Sequence, residues 1–183
     1  MNQPSDLREQ NLKSIFAIFD VNGDGVISGD DFVEMADIVC DLIDVTDDAK
    51  RAAFKDGYLS WWERLRADAD QDGDGRITAA EFAEAAGSGG GDPRAYYEQT
   101  AGPVLTMMTE AMDRDGDGFI EHEDYLRLTG LPGLDPQAYL AAFSSLDSDG
   151  DERLTPAQFH EAITQLFVSQ NSGDAGTTLL GHA

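Results

Sequence analysis

The chain has 183 residues, with 36 acidic side chains against 12 basic ones and a formal net charge of −24. A hydrophobic fraction of 41% is enough for a core, so the acidity does not mean global disorder. A chain this negative repels DNA, RNA and anionic membrane surfaces, and the partner it calls for is a cation. The single cysteine, Cys40, excludes an intramolecular disulfide and reads as a small buried hydrophobe. Residues 1–10 contain no apolar signal-like segment, and no run approaches the ~18 apolar residues of a membrane span. These features predict a cytoplasmic, monomeric protein.

The predicted elements follow one another as four helix–loop–helix units. Leu12, Ile15, Phe16 and Phe19 share one helical face before a first acidic loop, 20–31, and Phe32, Met35, Ile38, Val39 and Leu42 share one after it. The next helix is expected to start near Thr46 as N-cap and to carry Phe54, Tyr58, Trp61, Trp62 and Leu65 into a second loop, 70–81, followed by a short helix with Phe82. The stretch from Gly87 to Pro93 reads as a flexible linker. Val104, Leu105, Met108 and Met112 lead into a third loop, 113–124, with a break or restart at Gly102-Pro103. Tyr125, Leu126 and Leu128 follow, ending at Gly130. Asp135-Pro136 opens a helix carrying Leu140, Phe143 and Leu146 to a fourth loop, 147–158. A last helix with Phe159, Ile163, Leu166 and Phe167 precedes a polar tail, 169–183.

The four loops repeat one twelve-residue design. Carboxylate or amide oxygens stand at positions 1, 3 and 5: Asp20, Asn22 and Asp24; Asp70, Asp72 and Asp74; Asp113, Asp115 and Asp117; Asp147, Asp149 and Asp151. Position 6 is Gly in the first three. Position 7 offers a backbone carbonyl, at Val26, Arg76, Phe119 and Arg153. Position 9 is Ser28, Thr78, Glu121 or Thr155, and position 12 is Asp31, Glu81, Asp124 or Gln158. Starting the second loop at Asp68 would put Ala79 at position 12, whereas Asp70 satisfies every position. Such a spacing wraps oxygens around a hard cation that takes six to eight of them, and calcium is that cation.

With these residues in place the chain resembles EF-hand proteins. The uneven spacing, 50 residues from Asp20 to Asp70 but 34 from Asp113 to Asp147, resembles sarcoplasmic calcium-binding proteins and calerythrin. The resemblance implies an all-α fold of four hands in two pairs, packed face to face, with one hand degenerate. Position-8 residues are expected to meet across short antiparallel bridges, Ile27 with Ile77 and Ile120 with Leu154. The expected organisation is a first pair in 1–86, a linker in 87–93, a second pair in 94–168 and the tail.

The loops differ in grade. Glu81 is long enough to bind calcium through both oxygens, so the second loop is the expected best calcium site. Asp31 and Asp124 are one methylene shorter, and magnesium is expected to compete in the first and third loops, with Glu121 as an extra anionic ligand in the third. The fourth loop has Glu152 where a turn wants Gly, and Gln158 in place of a carboxylate. It is expected to be weak or empty. The functional reading is a non-enzymatic calcium buffer. The alternative is a sensor that exposes a hydrophobic surface, built on Met107, Met108 and Met112, to an unidentified protein target. A third reading, a cofactor cavity lined by Phe54, Tyr58, Trp61 and Trp62, is weaker than ordinary core.

Overall fold

The computed structural model describes residues 4–88 and 93–168. Most of the expected linker, and the tail, lie outside the described residues. Hand one is α1 (Pro4–Phe19), β1 (Val26–Ile27) and α2 (Gly29–Leu42). Hand two is α3 (Asp48–Ala69), β2 (Ile77–Thr78) and α4 (Ala79–Ser88). The incoming segment of hand three is split into α5 (Pro93–Thr100) and α6 (Gly102–Met112), with Pro103 early in the second piece, as the Gly-Pro pair predicts. Then come β3 (Ile120–Glu121), α7 (His122–Arg127) and a 3-10 turn over Leu128–Gly130. Hand four is α8 (Pro136–Leu146), β4 (Arg153–Leu154) and α9 (Pro156–Val168). Asp135 caps α8 by accepting from the Gln137 and Ala138 amides. Among these residues no helix is long and apolar enough to cross a membrane.

Both bridges form as expected. β1 pairs antiparallel with β2, placing Ile27 opposite Ile77, and β3 pairs with β4, placing Ile120 opposite Leu154. All four of these side chains are fully buried. Two expectations need correction. The N-cap of α3 is Asp47, whose carboxylate accepts from the Lys50 amide at 2.9 Å, rather than Thr46. Leu140 is 37% exposed, and the buried face of α8 is instead Tyr139, Ala142, Phe143 and Leu146. Tyr139 takes that face because its ring stacks on Tyr125, centroids 4.2 Å apart.

The core of the first pair is aromatic. Phe19 stacks on Phe32 at 5.1 Å and meets Trp61 edge-on at 4.9 Å, while Trp62 lies 5.6 Å from Phe32. Cys40 is buried beside them, and burial raises its thiol pKa. The two halves then close on each other where side chains are missing. A Cβ at Gly57 of α3 would stand 2.5 Å from Met107 Cε of α6, and one at Gly130 would stand 2.6 Å from Leu42 of α2. Gly133 sits in the left-handed region, φ +71°, and a Cβ there would stand 3.0 Å from the Ala17 carbonyl oxygen of α1. Among the described glycines, only at Gly133 do a left-handed backbone and a rigid backbone neighbour coincide. We therefore expect Gly133→Ala to lower stability by about 1–2 kcal/mol, measured by denaturant unfolding of the calcium-loaded protein.

Candidate metal centre

Each loop is built by its own carboxylates accepting from its own backbone. The position-1 aspartate spans the turn with both oxygens. Asp20 accepts from the Asp24 and Gly25 amides at 3.0 Å each, and Asp70 accepts from Gly73 at 2.8 Å and Gly75 at 3.0 Å. Asp113 accepts from Gly116 at 2.9 Å and Gly118 at 3.0 Å, and Asp147 accepts from Gly150 at 2.9 Å and Glu152 at 3.0 Å. Position 3 accepts from the position-5 amide in the first three loops, through Asn22, Asp72 and Asp115. Position 5 accepts from the position-7 amide in all four, through Asp24, Asp74, Asp117 and Asp151. These bonds curl the chain so that the carboxylates converge. In the second, third and fourth loops a ligand atom from each of positions 1, 3 and 5 lies within 4.8 Å of the others.

Position 12 closes the loop in two ways. In loops one, two and four the position-9 residue donates both its backbone N–H and its hydroxyl to one oxygen of position 12. The distances are 2.8 and 2.6 Å from Ser28 to Asp31, 2.9 and 2.8 Å from Thr78 to Glu81, and 2.7 Å twice from Thr155 to Gln158. The Glu81 and Gln158 backbone amides donate back to the threonine hydroxyls, completing capping boxes like the one that Ser28 and Asp31 form in loop one. Hydrogen bonds from the Thr78 amide, and then from its hydroxyl, hold the Glu81 carboxyl below its ordinary pKa. The other Glu81 oxygen accepts from the Gln71 amide across the loop at 3.3 Å.

Loop three has no hydroxyl at position 9. Its Asp124 is nearly buried and faces two arginines, with Arg114 Nε 3.0 Å and Arg127 Nε 3.2 Å from the same oxygen, Oδ1. Composition and spacing single out neither arginine. The one available signal was a basic residue at position 2 of an otherwise acidic loop. Arg153, expected only as a backbone-carbonyl donor, also brings its side chain into play. It lies 3.0 Å from Asp151 Oδ2 and 3.3 Å from Asp117 Oδ2, with its guanidinium 4.3 Å above the Phe119 ring. It therefore places a positive charge between the third and fourth loops.

Loop four keeps the shape of its neighbours despite its two departures. Glu152 turns at φ +62°, as the glycines at that position do. Gln158 caps as Glu81 does, and its amide nitrogen donates to the Leu146 carbonyl at 3.0 Å. Desolvation opposes ionisation of Asp147, but the Glu152, Gly150 and Asp151 amides outweigh it and hold its pKa below the ordinary value. The oxygen donors of the first three loops fit a hard divalent cation. The fourth has the frame with an amide, Gln158, in place of the position-12 carboxylate.

With this geometry in place, family comparison agrees with it. A model described as the EF hand domain matches residues 11–37, and a second EF-hand model matches 67–85 and 110–129. No curated protein matches the chain significantly. Among solved structures, a Streptomyces coelicolor calcium-binding protein, described with prokaryotic calcium-mediated regulation, is 29% identical, with TM-score 0.75 over 87% of this chain and 97% of that one. The sarcoplasmic calcium-binding protein of amphioxus is 22% identical, with TM-score 0.74 over 97% and 98%. Calcium-loaded apo-aequorin of Aequorea victoria shares the fold at 16% identity, TM-score 0.66, over 90% and 92%. The chain carries EF-hand motifs in its first three hands and has the fold of calcium-binding EF-hand proteins. The arrangement of its four hands is that of the sarcoplasmic calcium-binding protein fold.

A non-glycine residue in the left-handed region is strained, and Glu152 has that conformation with no metal chemistry of its own. Glu152→Gly is expected to stabilise the protein by roughly 0.5–1 kcal/mol, after the entropy of glycine in the unfolded chain is set against the relieved strain. Chemical denaturation measures this. Calcium stoichiometry should stay unchanged, because Gln158 is untouched.

Proposed function

We propose that this chain is a calcium buffer of the cytoplasm that acts as a monomer and without catalysis. Three loops hold the ion. Asp20, Asn22, Asp24, Val26, Ser28 and Asp31 serve the first, and Asp70, Asp72, Asp74, Arg76, Thr78 and Glu81 the second. Asp113, Asp115, Asp117, Phe119, Glu121 and Asp124 serve the third. Val26, Arg76 and Phe119 act through their carbonyls. The second loop is the strongest calcium site, and magnesium competes in the first and third, where position 12 is the shorter Asp. The fourth loop is weak or empty. The functional units are the hand pairs 1–86 and 94–168.

The observation that carries the buffer reading is the location of the methionines. A sensor keeps a Met-rich groove for a target helix. Here Met108 and Met112 are buried and Met107 packs against the core. α3 of the other half lies on them: Gly57 faces Met107, and the Tyr58 hydroxyl donates to Met108 Sδ at 3.9 Å. The groove's place is taken by the protein itself. The aromatic residues of α3 pack on Phe19 and Phe32, which supports a structural role for them over a cofactor cavity. The similarity to the Streptomyces protein described with calcium-mediated regulation favours the sensor as second reading.

Calorimetric titration is expected to count three calcium ions, with two of the sites weakened by millimolar magnesium. Glu81→Gln should weaken the tightest calcium step by tenfold or more, on the order expected for losing a two-oxygen anionic ligand. A hydrophobic dye should bind the metal-free protein more than the calcium-loaded one, because clustered carboxylates without a cation loosen the packing. Dye binding that rises with calcium would favour the sensor.

A further inference from the structure

Position 7 of such a loop offers a cation only its carbonyl, so its side chain is available for another task. In the second pair the two position-7 side chains are Phe119 and Arg153, and they meet. The Arg153 guanidinium lies 4.3 Å above the Phe119 ring. From that seat it reaches the position-5 carboxylate of both loops. Its Nη2 donates to Asp151 Oδ2 in its own loop at 3.0 Å, and its Nη1 donates to Asp117 Oδ2 in loop three at 3.3 Å. The bridge brings it there, since Arg153 stands opposite Glu121, position 9 of loop three. One guanidinium thus stands against ligand carboxylates of two loops.

The first pair has the same charge without the same arrangement. Its position-7 residues are Val26 and Arg76. Valine offers no ring on which a guanidinium can sit. Arg76 is exposed and forms no ion pair among the described residues. In both pairs the position-5 carboxylates accept from the position-7 amide of their own loop. The pairs differ in that a positive charge is held against both of these carboxylates in the second and against neither in the first.

We infer that Arg153 is a resident counter-cation shared by loops three and four: held on Asp117 and Asp151, it opposes a divalent ion in either loop and sets the affinity of loop three from the neighbouring loop. The effect is one of charge and not of oxygens used up. Neutral amides donate to the ligand carboxylates of every loop and leave their charge intact. A guanidinium at hydrogen-bond distance cancels part of the attraction on which a divalent ion depends. Glu121, the extra acidic residue of loop three, stands across the bridge from this charge and offsets it. Loop four has no such offset, and there the charge adds to the loss of a carboxylate at Gln158. The inference rests on loop three being a cation site.

The test reads the loops separately. Selective 15N-glycine labelling gives position-6 amide resonances for Gly25, Gly75 and Gly118, which donate to the position-1 aspartates of loops one, two and three. The full-length protein is titrated with calcium, and in a separate series with magnesium. Two variants each remove one positive charge from position 7: Arg153→Gln and Arg76→Gln. Physiological ionic strength screens exposed charges more than about 8 Å apart, so an effect on the partner loop requires the contact. Arg153→Gln is expected to lower the calcium midpoint at Gly118 by roughly three- to tenfold. Gly25 and Gly75 should keep their midpoints in that variant, which also verifies the fold. Arg76→Gln is expected to leave the midpoint at Gly25 within about twofold of the parent. A Gly118 midpoint that moves by less than about twofold in Arg153→Gln overturns the inference. So does a Gly25 shift in Arg76→Gln as large as the Gly118 shift, since charge at position 7 would then suffice without the contact. Either result leaves loop three a cation site. A parent Gly118 resonance that responds to neither ion overturns the cation-site reading as well.

Discussion

The structure turns on like-charge repulsion inside four short loops. Two carboxylates 4.8 Å apart repel by about 3 kcal/mol at an effective dielectric constant of 20, and the second, third and fourth loops each gather three within that distance. Of the 36 acidic side chains, 18 lie in the 48 loop residues, with only three basic ones, so the loops hold −15 of the net −24. Backbone amides supply the first relief, since every position-1 aspartate accepts from at least two of them. A bound divalent cation would answer the repulsion that remains.

The rest of the fold transmits this constraint. β1–β2 and β3–β4 tie loops in pairs through fully buried aliphatic side chains, so one loop cannot relax without moving its neighbour. The pairs are then locked together by close approaches at Gly57, Gly130 and Gly133. The arginines join the same scheme. Arg153 sits between loops three and four, and Arg114 and Arg127 sit between loop three and the end of α2. Positive charge is scarce in this chain, and three of its twelve basic residues stand against the third loop's carboxylates.

The loops were legible in the sequence because their chemistry is local. Ligand spacing, the turn at position 6 and the apolar position 8 all lie within twelve residues, and the bridges followed from pairing the position-8 side chains. Helix faces were legible wherever the periodicity was unambiguous. At α8, Tyr139 and Leu140 both suited the pattern, and the choice between them is a helix rotation of about 100°. The stacking of Tyr139 on Tyr125 decides it, and that partner is fixed only by tertiary structure. At α3, Thr46 and Asp47 are both competent caps, and only the path of the connector selects the second. The pairing of Arg114 and Arg127 with Asp44 was beyond any local pattern, since Asp44 is 70 residues from Arg114 and 83 from Arg127.

The aromatic core of the first pair has an optical consequence. The chain's two tryptophans, Trp61 and Trp62, both lie in α3, and a Cβ at Gly29, inside loop one, would stand 3.1 Å from the Trp62 indole nitrogen. Their emission therefore senses the first half and reports the wall of loop one directly. The second half carries stacked tyrosines at Tyr125 and Tyr139 and no indole. Excitation at the red edge of the protein absorption band addresses the first pair alone. The molecule thus contains a spectroscopic label for one half that requires no chemical attachment.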